Sequence, residues 1–297
     1  MPDRELIQAI GCLPQPLRVY LQPWIEQSKP ICEEIRLRAG LPLKVADAQT
    51  EHTAGGRPLT PQMIQDVVDR ACNYSAHTFA AGLSHGYVTL PGGHRMGLCG
   101  EAVWSDGGIV SFRHVSSVNL RVARQIKGAA PSEIVQAVTQ NQLLCSTVFF
   151  SPPRYGKTTL LRDLARQLSE KGYRVGIADE RGELAALYRG QPQFSVGPCT
   201  DVICGCPKAE AALMLVKTMS PEVIVLDEIT TEQDIRAALY CAHCGVAVLA
   251  SAHAACFHDF QTRPLYRYIL ESEVFSLYLQ LNKDHTLQKI ILEEGGK

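Results

Sequence analysis

One segment decides the fold, and it reads Val148-Phe149-Phe150-Ser151-Pro152-Pro153-Arg154-Tyr155-Gly156-Lys157-Thr158-Thr159. It opens on a short apolar run, breaks into a loop that ends in glycine, lysine and threonine, and continues into residues with helical spacing. A strand, a loop and a helix in this order are typical of a phosphate-binding P-loop. The segment therefore predicts a nucleotide site at the end of a buried strand.

The chemistry of a P-loop gives residues 151–159 their expected roles. The backbone N–H groups should surround phosphate oxygens, the Lys157 ammonium should reach the outer phosphates, and the Thr158 hydroxyl should hold Mg²⁺. The full pattern has glycine where this chain has Ser151. A residue with a Cβ is expected to resist the backbone conformation there, at a cost of roughly 1 kcal/mol, which would lower the affinity for nucleotide.

A second segment, Glu222-Val223-Ile224-Val225-Leu226-Asp227-Glu228, is a run of four apolar residues that ends in two carboxylates. Such a run is typical of a buried strand. In P-loop NTPases the first acid at this position belongs to the Mg²⁺ shell, and an adjacent glutamate polarises the attacking water. Those roles fall on Asp227 and Glu228.

Strand and helix patterns alternate through residues 131–297, which predicts a P-loop domain with a mostly parallel sheet covered by helices. Its last apolar segments, 274–281 and 286–292, should form an antiparallel hairpin at the sheet edge. Residues 1–130 contain one helical pattern and short glycine-bounded strands, so a smaller α+β domain is expected there. The fold class is therefore α/β. The other expected strands are 35–38, 86–90, 96–103, 109–112, 174–178 and 246–250, and the other expected helices are 61–73, 209–219 and 232–243.

Polar residues follow two more of the predicted strands. Asp179-Glu180-Arg181-Gly182-Glu183 comes directly after one, and Ser251-Ala252-His253 comes directly after the other. Because ligands bind at the carboxyl ends of parallel strands, both segments should lie beside the P-loop. Asp179 and Glu180 could position water or the metal shell, and His253 could contact the γ-phosphate. A buried histidine with a structural role is the alternative for His253.

The N-terminal part carries a dense set of arginines, in the segments Gly92-Gly93-His94-Arg95-Met96-Gly97 and Asn119-Leu120-Arg121-Val122-Ala123-Arg124 and at Arg113. An NTPase whose P-loop domain lacks an evident arginine finger can take one from a neighbouring domain or subunit. Arg95 and Arg121 are the preferred candidates for that role. Solvated surface arginines are the alternative.

Composition sets the remaining bounds. The chain has 297 residues, of which 46% are hydrophobic and 20% charged, which is enough for two globular domains. A formal net charge of −1 gives no overall electrostatic reason to bind nucleic acid directly. No stretch approaches the roughly 18 apolar residues of a membrane span, and the first residues do not open a signal peptide. A cytoplasmic protein is therefore expected.

The eleven cysteines are odd in number and irregularly spaced, which fits reduced thiols better than a disulfide framework. Two clusters raise the alternative of a zinc site, Cys199 with Cys204 and Cys206, and Cys241 with His243 and Cys244. We favour ordinary thiols, because the second cluster lies in an alanine-rich helical segment where small buried cysteines are common.

Several segments together resemble the stage III sporulation protein AA family, a branch of the RecA-like secretion ATPases. The resemblance spans nearly the whole chain. Its P-loop is generic, whereas its glycine-histidine-arginine and cysteine-proline-lysine-alanine segments are distinctive. The segments that carry it are Glu34-Ile35-Arg36-Leu37-Arg38, Gly86-Tyr87-Val88-Thr89, Gly92-Gly93-His94-Arg95-Met96-Gly97-Leu98, Asn119-Leu120-Arg121-Val122-Ala123-Arg124, Lys157-Thr158-Thr159-Leu160-Leu161-Arg162-Asp163, Asp179-Glu180-Arg181, Cys206-Pro207-Lys208-Ala209 and Met219-Ser220-Pro221.

The resemblance implies an ATPase on the mother-cell side of the channel that joins mother cell and forespore, and the departure at Ser151 predicts that its Mg²⁺-dependent hydrolysis of ATP is slow. It also implies partners among the membrane proteins of the same sporulation operon, and a peripheral place at the membrane through them. Asp179 and Glu180 match the Asp box of secretion ATPases, and His253 matches their His box. By the same analogy, the N-terminal arginines close over ATP on an adjacent protomer of a homo-hexamer.

Two other functions stay open at this point. A nucleotide-gated scaffold would bind ATP to hold a ring together but would turn over little of it. A DNA or RNA motor is the second alternative, because RecA-like folds often serve nucleic acids, and it would show a strongly salt-dependent affinity for single strands.

Overall fold

The computed structural model describes residues 3–26, 31–72, 87–105, 108–139 and 143–290. These residues form two compact units. The first unit holds the chain up to Arg124 together with the short segment Tyr188–Gln193. The second holds Gln125–Leu187 and the chain from Phe194 onward.

A six-stranded antiparallel sheet forms the centre of the first unit. Side chains alternate between its two faces, so Ile35 and Leu37 are buried whereas Glu34 and Arg36 lie partly exposed on the opposite face. The buried face packs with the helices of this unit in one apolar cluster. The strands are β1 (Glu34–Arg38), β2 (Pro42–Ala46), β3 (Glu51–Pro58), β4 (Tyr87–Thr89), β5 (Arg95–Ser105) and β6 (Gly108–Arg121), in the order β3-β2-β1-β6-β5-β4, and the helices are α1 (Arg4–Ala9), α2 (Gln15–Arg18), α3 (Gln22–Glu26) and α4 (Pro61–Ala71).

The segments predicted as strands in this part lie in β1, β4, β5 and β6, and the predicted helix is α4. Gly86 and Asn73, at the ends of two predictions, lie outside the described residues. The prediction missed β2 and β3 and found only the start of β6, which has 14 residues. The reason is composition, because β2 opens on Pro42 and β3 contains Gly55 and Gly56, residues that normally disfavour strands.

The excursion Tyr188–Gln193 belongs to the first unit although it comes from the middle of the second. Tyr188 and Gln191 pair through both backbone hydrogen bonds, 2.9 and 3.0 Å long, so the segment turns back on itself. The side chain of Gln193 then accepts a hydrogen bond of 2.7 Å from the backbone N–H of Gly92. Residues 101 positions apart thus meet in the first unit.

A mostly parallel sheet organises the second unit. Six neighbouring strands run parallel and the seventh, β13, pairs antiparallel at the edge. The predicted α/β fold class is confirmed, and so is the predicted terminal hairpin up to residue 290, since its last two predicted residues, 291 and 292, lie outside the described residues. The strands are β7 (Thr147–Ser151), β8 (Val175–Asp179), β9 (Thr200–Cys204), β10 (Val223–Leu226), β11 (Ala247–His253), β12 (Leu277–Leu281) and β13 (Leu287–Ile290), in the order β13-β12-β7-β11-β10-β8-β9.

Helices cover both faces of this sheet, which is why its central strands are buried along their whole length. Phe149 and Leu249 point into the apolar cluster shared with α5 and α6, and Phe150 and Val248 point into the cluster on the other face. The helices are α5 (Ser132–Val138) and α6 (Lys157–Glu170) on the first face and α7 (Lys208–Met219), α8 (Glu232–His243), α9 (Phe257–Thr262) and α10 (Pro264–Glu271) on the second.

The sequence did not predict β9, which lies at the sheet edge in the segment considered for zinc. Its residues are only partly buried, so they lack the continuous apolar run of an inner strand. Cys204 ends this strand and is exposed, whereas Cys241 is buried in α8 and Cys244 is exposed just after that helix. Within the described ranges, no three His, Cys, Asp or Glu side chains are grouped so that they could hold a metal ion.

Helix length also bears on membrane contact. In the part of the chain that the structure describes, every helix is too short or too polar to cross a bilayer.

His94 is the most unusual side chain of the first unit's core. It is fully buried, and its Nδ1 accepts a hydrogen bond of 3.0 Å from the backbone N–H of Ala123. Among the described residues its Nε2 has no hydrogen-bond partner. Burial, together with the charge of Arg124, lowers the pKa of His94 from 6.5 to about 4.

We expect this histidine to make the stability of the protein fall as the pH drops from about 6.5 to about 4. In that window the unfolded chain binds a proton at His94 and the folded chain does not, which costs the folded state up to roughly 3 kcal/mol at about 1.4 kcal/mol per pKa unit. His94→Asn, whose amide oxygen can accept the Ala123 N–H, should flatten this slope. The measurement is the free energy of urea unfolding at several pH values.

The exposed His114, on β6 of the same unit, provides the matched control. His114→Asn should keep the wild-type slope. An identical slope in wild type and His94→Asn would show that His94 does not resist protonation in the fold.

Candidate nucleoside-triphosphate site

Four neighbouring parallel strands bring the predicted residues to one edge of the sheet. β7, β11, β10 and β8 lie side by side, and their register places Ser151 opposite His253 and Leu226 opposite both Ala178 and Ala250. The carboxyl ends of these strands therefore point to the same edge of the sheet, with β7 and β11 extending beyond the end of β10. The segments after them, which hold Lys157, Asp227 and Asp179, meet at this edge as the sequence predicts.

The loop between β7 and α6 has an unusual backbone. Gly156 has a φ of 93° and caps the helix without a side-chain hydrogen bond, so the first-turn N–H groups of α6 face the loop. Arg154 also has a positive φ, 66°, although it carries a Cβ. A non-glycine residue in this conformation costs about 1–2 kcal/mol and is most often found at functional sites.

The strain expected at Ser151 is not there. Ser151 ends β7 in extended backbone, is fully buried, and its hydroxyl donates to the carbonyl oxygen of Pro152 at 3.0 Å. The expectation was wrong because the loop places its left-handed residue three positions later, at Arg154. The serine therefore fits the strand without a backbone penalty.

Lys157 is a buried cation held by neutral acceptors. Its ammonium lies 2.9 Å from the carbonyl oxygen of Ser151, 3.2 Å from the Ser151 hydroxyl, 3.0 Å from the carbonyl oxygen of Pro152 and 3.1 Å from Nδ1 of His253. Burial lowers the pKa of Lys157 from 10.5 to about 8, and the charges of Asp227 and Glu228 oppose that shift. A nearby anion, such as a phosphate, would stabilise the charged form of Lys157.

Thr158 and Asp227 form the second contact across the site. The Thr158 hydroxyl donates to Oδ2 of Asp227 at 2.6 Å, and the Ser251 hydroxyl donates to Oδ1 at 2.6 Å. Loss of solvation raises the pKa of Asp227, the two hydrogen bonds lower it, and the charges of Glu183 and Asp179 raise it further. A nearby cation would offset this cost of ionising Asp227.

These two oxygens fit Mg²⁺ in number and kind. Mg²⁺ prefers hard oxygen ligands in an octahedron with bonds of about 2.0–2.1 Å, which puts neighbouring ligand oxygens about 3 Å apart. The Thr158 and Asp227 oxygens already lie at nearly that separation, 2.6 Å. Both residues were predicted for this role.

Glu228 is held in place from three sides. Its φ is 59°, in the left-handed region, and its backbone N–H donates to the Ser251 hydroxyl at 2.8 Å. Its carboxylate lies 2.8 Å from Nη1 of Arg181 and 3.0 Å from Nε2 of His253. Because the Lys157 ammonium can only donate, Nδ1 of His253 accepts from it, and Nε2 then carries the proton that it donates to Glu228.

Asp179, the first of the two predicted acids, is the last residue of β8 and organises the loop that follows it. The Asp179 carboxylate is buried and accepts backbone N–H groups from Glu183, Leu184 and Ala185 at 2.8–3.1 Å. These hydrogen bonds fix the loop on Asp179, and a role of Asp179 toward water or the metal stays a prediction.

Glu180, the second predicted acid, pairs at 2.7 Å with the ammonium of Lys208. Glu183, which had no predicted role, is close enough for its charge to raise the pKa of Asp227.

Arg95 and Arg121 lie in the first unit, whereas the P-loop lies in the second. The structure brings the two arginines together as direct cross-strand partners on β5 and β6. The Arg95 guanidinium stacks over the Tyr87 ring at 4.4 Å, and Nε of Arg121 lies 3.7 Å from Glu34. Their side chains thus share one polar face of the antiparallel sheet.

The comparison with known sequences decides the family. The model of the family described as sporulation stage III, protein AA matches residues 8–296. The chain belongs to that family. Stage III sporulation protein AA of Bacillus subtilis strain 168 is 38% identical to it over 283 residues, which are 91% of this chain and 89% of that protein. The resemblance predicted from the distinctive segments is confirmed.

Solved structures show the fold of this family member. The chain is similar to the ATPase DotB of Legionella pneumophila, with a TM-score of 0.62 and 16% identity over 95% of this chain and 82% of that one. It is also similar to the pilus retraction motor PilT, solved with bound ADP, with a TM-score of 0.59 and 14% identity over 88% of this chain and 76% of that one. The predicted RecA-like fold is confirmed.

Several residues that contact the site had no predicted role. Ser251 lies two positions before His253 on β11, so both side chains point to the same face, and this periodicity could have identified it. Arg181 and Lys208 were inside quoted segments but were assigned nothing. His285, whose ring lies 3.3 Å from the carbonyl oxygen of Tyr155, comes from the β12–β13 turn and carried no signal in the sequence.

Ser251→Ala should destabilise the protein by about 1–3 kcal/mol, because it removes a buried hydroxyl that donates to Asp227 and accepts from the Glu228 N–H. Thermal and urea unfolding followed by circular dichroism measure the change. Ser276→Ala is the control, since Ser276 is exposed in the same unit. Equal stability of the two variants would mean that the Ser251 hydrogen bonds contribute nothing.

Proposed function

We propose that this protein is a Mg²⁺-dependent, secretion-type ATPase that acts on the mother-cell side of the channel between mother cell and forespore. The observation that carries the proposal is the continuous chain of contacts from Lys157 through His253 to Glu228. It joins the phosphate-binding loop to the carboxylate that would act on water. The Bacillus subtilis relative, a stage III sporulation protein, supports the sporulation setting.

Each residue of the site has a separate role in ATP hydrolysis. Lys157 and the N–H groups at the start of α6 bind the phosphates of ATP, and Thr158 and Asp227 hold Mg²⁺, which when bound neutralises phosphate charge. Glu228 accepts the proton of the attacking water. His253 contacts both Lys157 and Glu228, so it can respond to phosphate at one and orient the other.

We extend the proposal to a ring of six copies, the assembly that the resemblance to secretion ATPases implies. Arg95 and Arg121 would then reach the ATP of an adjacent copy, and their placement as a cross-strand pair lets them act together. The ring would lie in the cytoplasm and would meet the membrane through membrane proteins of the same sporulation operon.

A second candidate is the nucleotide-gated scaffold, and one observation favours it. The Glu228 carboxylate is already engaged by both Arg181 and His253. A carboxylate held this way must change partners before it can take a proton from water. A protein that rarely makes this change would bind ATP and assemble but turn over slowly.

Lys157→Ala should abolish ATP hydrolysis and weaken ATP binding by at least roughly tenfold, because a charge-assisted contact to phosphate is worth about 1.5–3 kcal/mol. Phosphate release and binding of a fluorescent ATP analogue measure the two effects. Lys171→Ala, an exposed lysine just after the same helix, should behave like wild type. Hydrolysis that survives in Lys157→Ala would show that the site is placed wrongly.

Glu228→Gln should keep ATP binding and lower the turnover number by about 10²–10⁴, the usual contribution of a general base. Glu232→Gln, an exposed acid at the start of α8, is the control. Analytical ultracentrifugation with and without MgATP measures the assembly of each variant. If wild type and Glu228→Gln bind ATP equally, neither releases phosphate, and ATP drives assembly of both, the scaffold is the function and the motor is not.

A further inference from the structure

Lys208 stands out because it is a buried cation at the first turn of a helix. It opens α7 in the distinctive segment Cys206-Pro207-Lys208-Ala209, and its side chain is only 8% exposed. Both burial and the positive end of the helix dipole disfavour a positive charge there. Lys208 therefore depends on carboxylate partners.

Two carboxylates from different loops supply that compensation. The Lys208 ammonium lies 2.7 Å from Oε2 of Glu180, in the loop after β8, and 3.5 Å from Oδ2 of Asp234, in the first turn of α8. The two loops follow neighbouring parallel strands, β8 and β10. Lys208 thus connects the loop after β8, which holds Glu180, to the start of α8, which follows the segment that holds Asp227 and Glu228.

Asp234 also binds the backbone of the residues that follow Glu228. Its Oδ2 accepts the backbone N–H groups of Thr230 at 2.9 Å and Thr231 at 3.0 Å, and its own N–H donates to the Thr231 hydroxyl at 3.2 Å. Ile229, just before them, is fully buried and donates its N–H to the carbonyl oxygen of Ser251 at 2.8 Å. Every residue from Ile229 to Thr231 is therefore fixed through its backbone.

This fixing matters because Glu228 has a backbone conformation that it would not keep by itself. A non-glycine residue at a φ of 59° persists only where its surroundings hold it. A second contact joins the same two loops, from Arg181 after β8 to Glu228 after β10 at 2.8 Å. A shift of the loop after β8 would therefore also move the partner of the Glu228 carboxylate.

We propose that Lys208 is a positioning residue for Glu228, which it aligns by tying the loop after β8 to the first turn of α8 through Glu180 and Asp234. The inference rests on the proposed ATPase function for its effect on turnover. It gives the cysteine-proline-lysine-alanine segment a purpose in the site. Lys208 acts through the two loops, and Glu180 is its partner in this bridge.

The test replaces the cation and keeps the length of the side chain. Lys208→Met should lower kcat for ATP by at least about tenfold with KM nearly unchanged, because small misplacement of a catalytic group slows chemistry more than binding. Lys208→Arg should restore most of the activity. Lys217→Met, an exposed lysine in the last turn of the same helix, should match wild type.

A double variant tests whether Lys208 works through Glu180. Once Lys208→Met is in place, adding Glu180→Gln should lower kcat little further, since both substitutions break the same bridge. Fully additive losses would overturn that part of the inference. Wild-type kcat in Lys208→Met would overturn the positioning role itself.

Amide hydrogen exchange separates this inference from the proposed function. The N–H groups of Thr230 and Thr231 should exchange faster in Lys208→Met than in Lys217→Met, whether or not the protein hydrolyses ATP. If wild type has no ATPase activity but the exchange difference is present, the bridge stands and the proposed function fails. If wild type hydrolyses ATP and exchange is unchanged in Lys208→Met, the bridge is refuted and the ATPase stands.

Discussion

The buried ammonium of Lys157 is the constraint on which the rest of the site depends. In the described part of the chain its contacts are carbonyl oxygens, a hydroxyl and an imidazole nitrogen, so the charge is solvated but not neutralised. Burial lowers the pKa of Lys157 to about 8 against the charges of Asp227 and Glu228, and an anion bound in the loop would favour the charged form. The Lys157 ammonium also fixes the tautomer of His253, because Nδ1 accepts from Lys157 and Nε2–H therefore donates to Glu228.

The sheet of the second unit makes this arrangement possible. Four neighbouring parallel strands end at the same edge of the sheet, so residues from four separate stretches of chain come within hydrogen-bond distance there. Because side chains alternate between the two faces of a strand, residues two positions apart, such as Ser251 and His253 on β11, point to the same face. Helices on both faces exclude water from the strands and leave this edge as the place where polar groups can gather.

Much of this could be predicted from the sequence, and the limits have physical causes. Inner parallel strands are continuous apolar runs, so β7, β10 and β11 and the acids and histidine that follow them were visible. Edge strands such as β3 and β9 lack that signal because one side of each faces solvent or carries glycine. The direction of a side chain at a strand end was not predictable, so the three backbone N–H groups that Asp179 accepts were not foreseen.

The excursion Tyr188–Gln193 bears on how the chain reaches its fold during synthesis. The ribosome completes the sheet of the first unit by Arg121, yet a piece that bonds to Gly92 emerges only with Gln193. In between, it releases β7, α6 and β8 of the second unit. The contact between Gln193 and Gly92 can therefore form only after much of the second unit has been synthesised, so this part of the first unit is completed late.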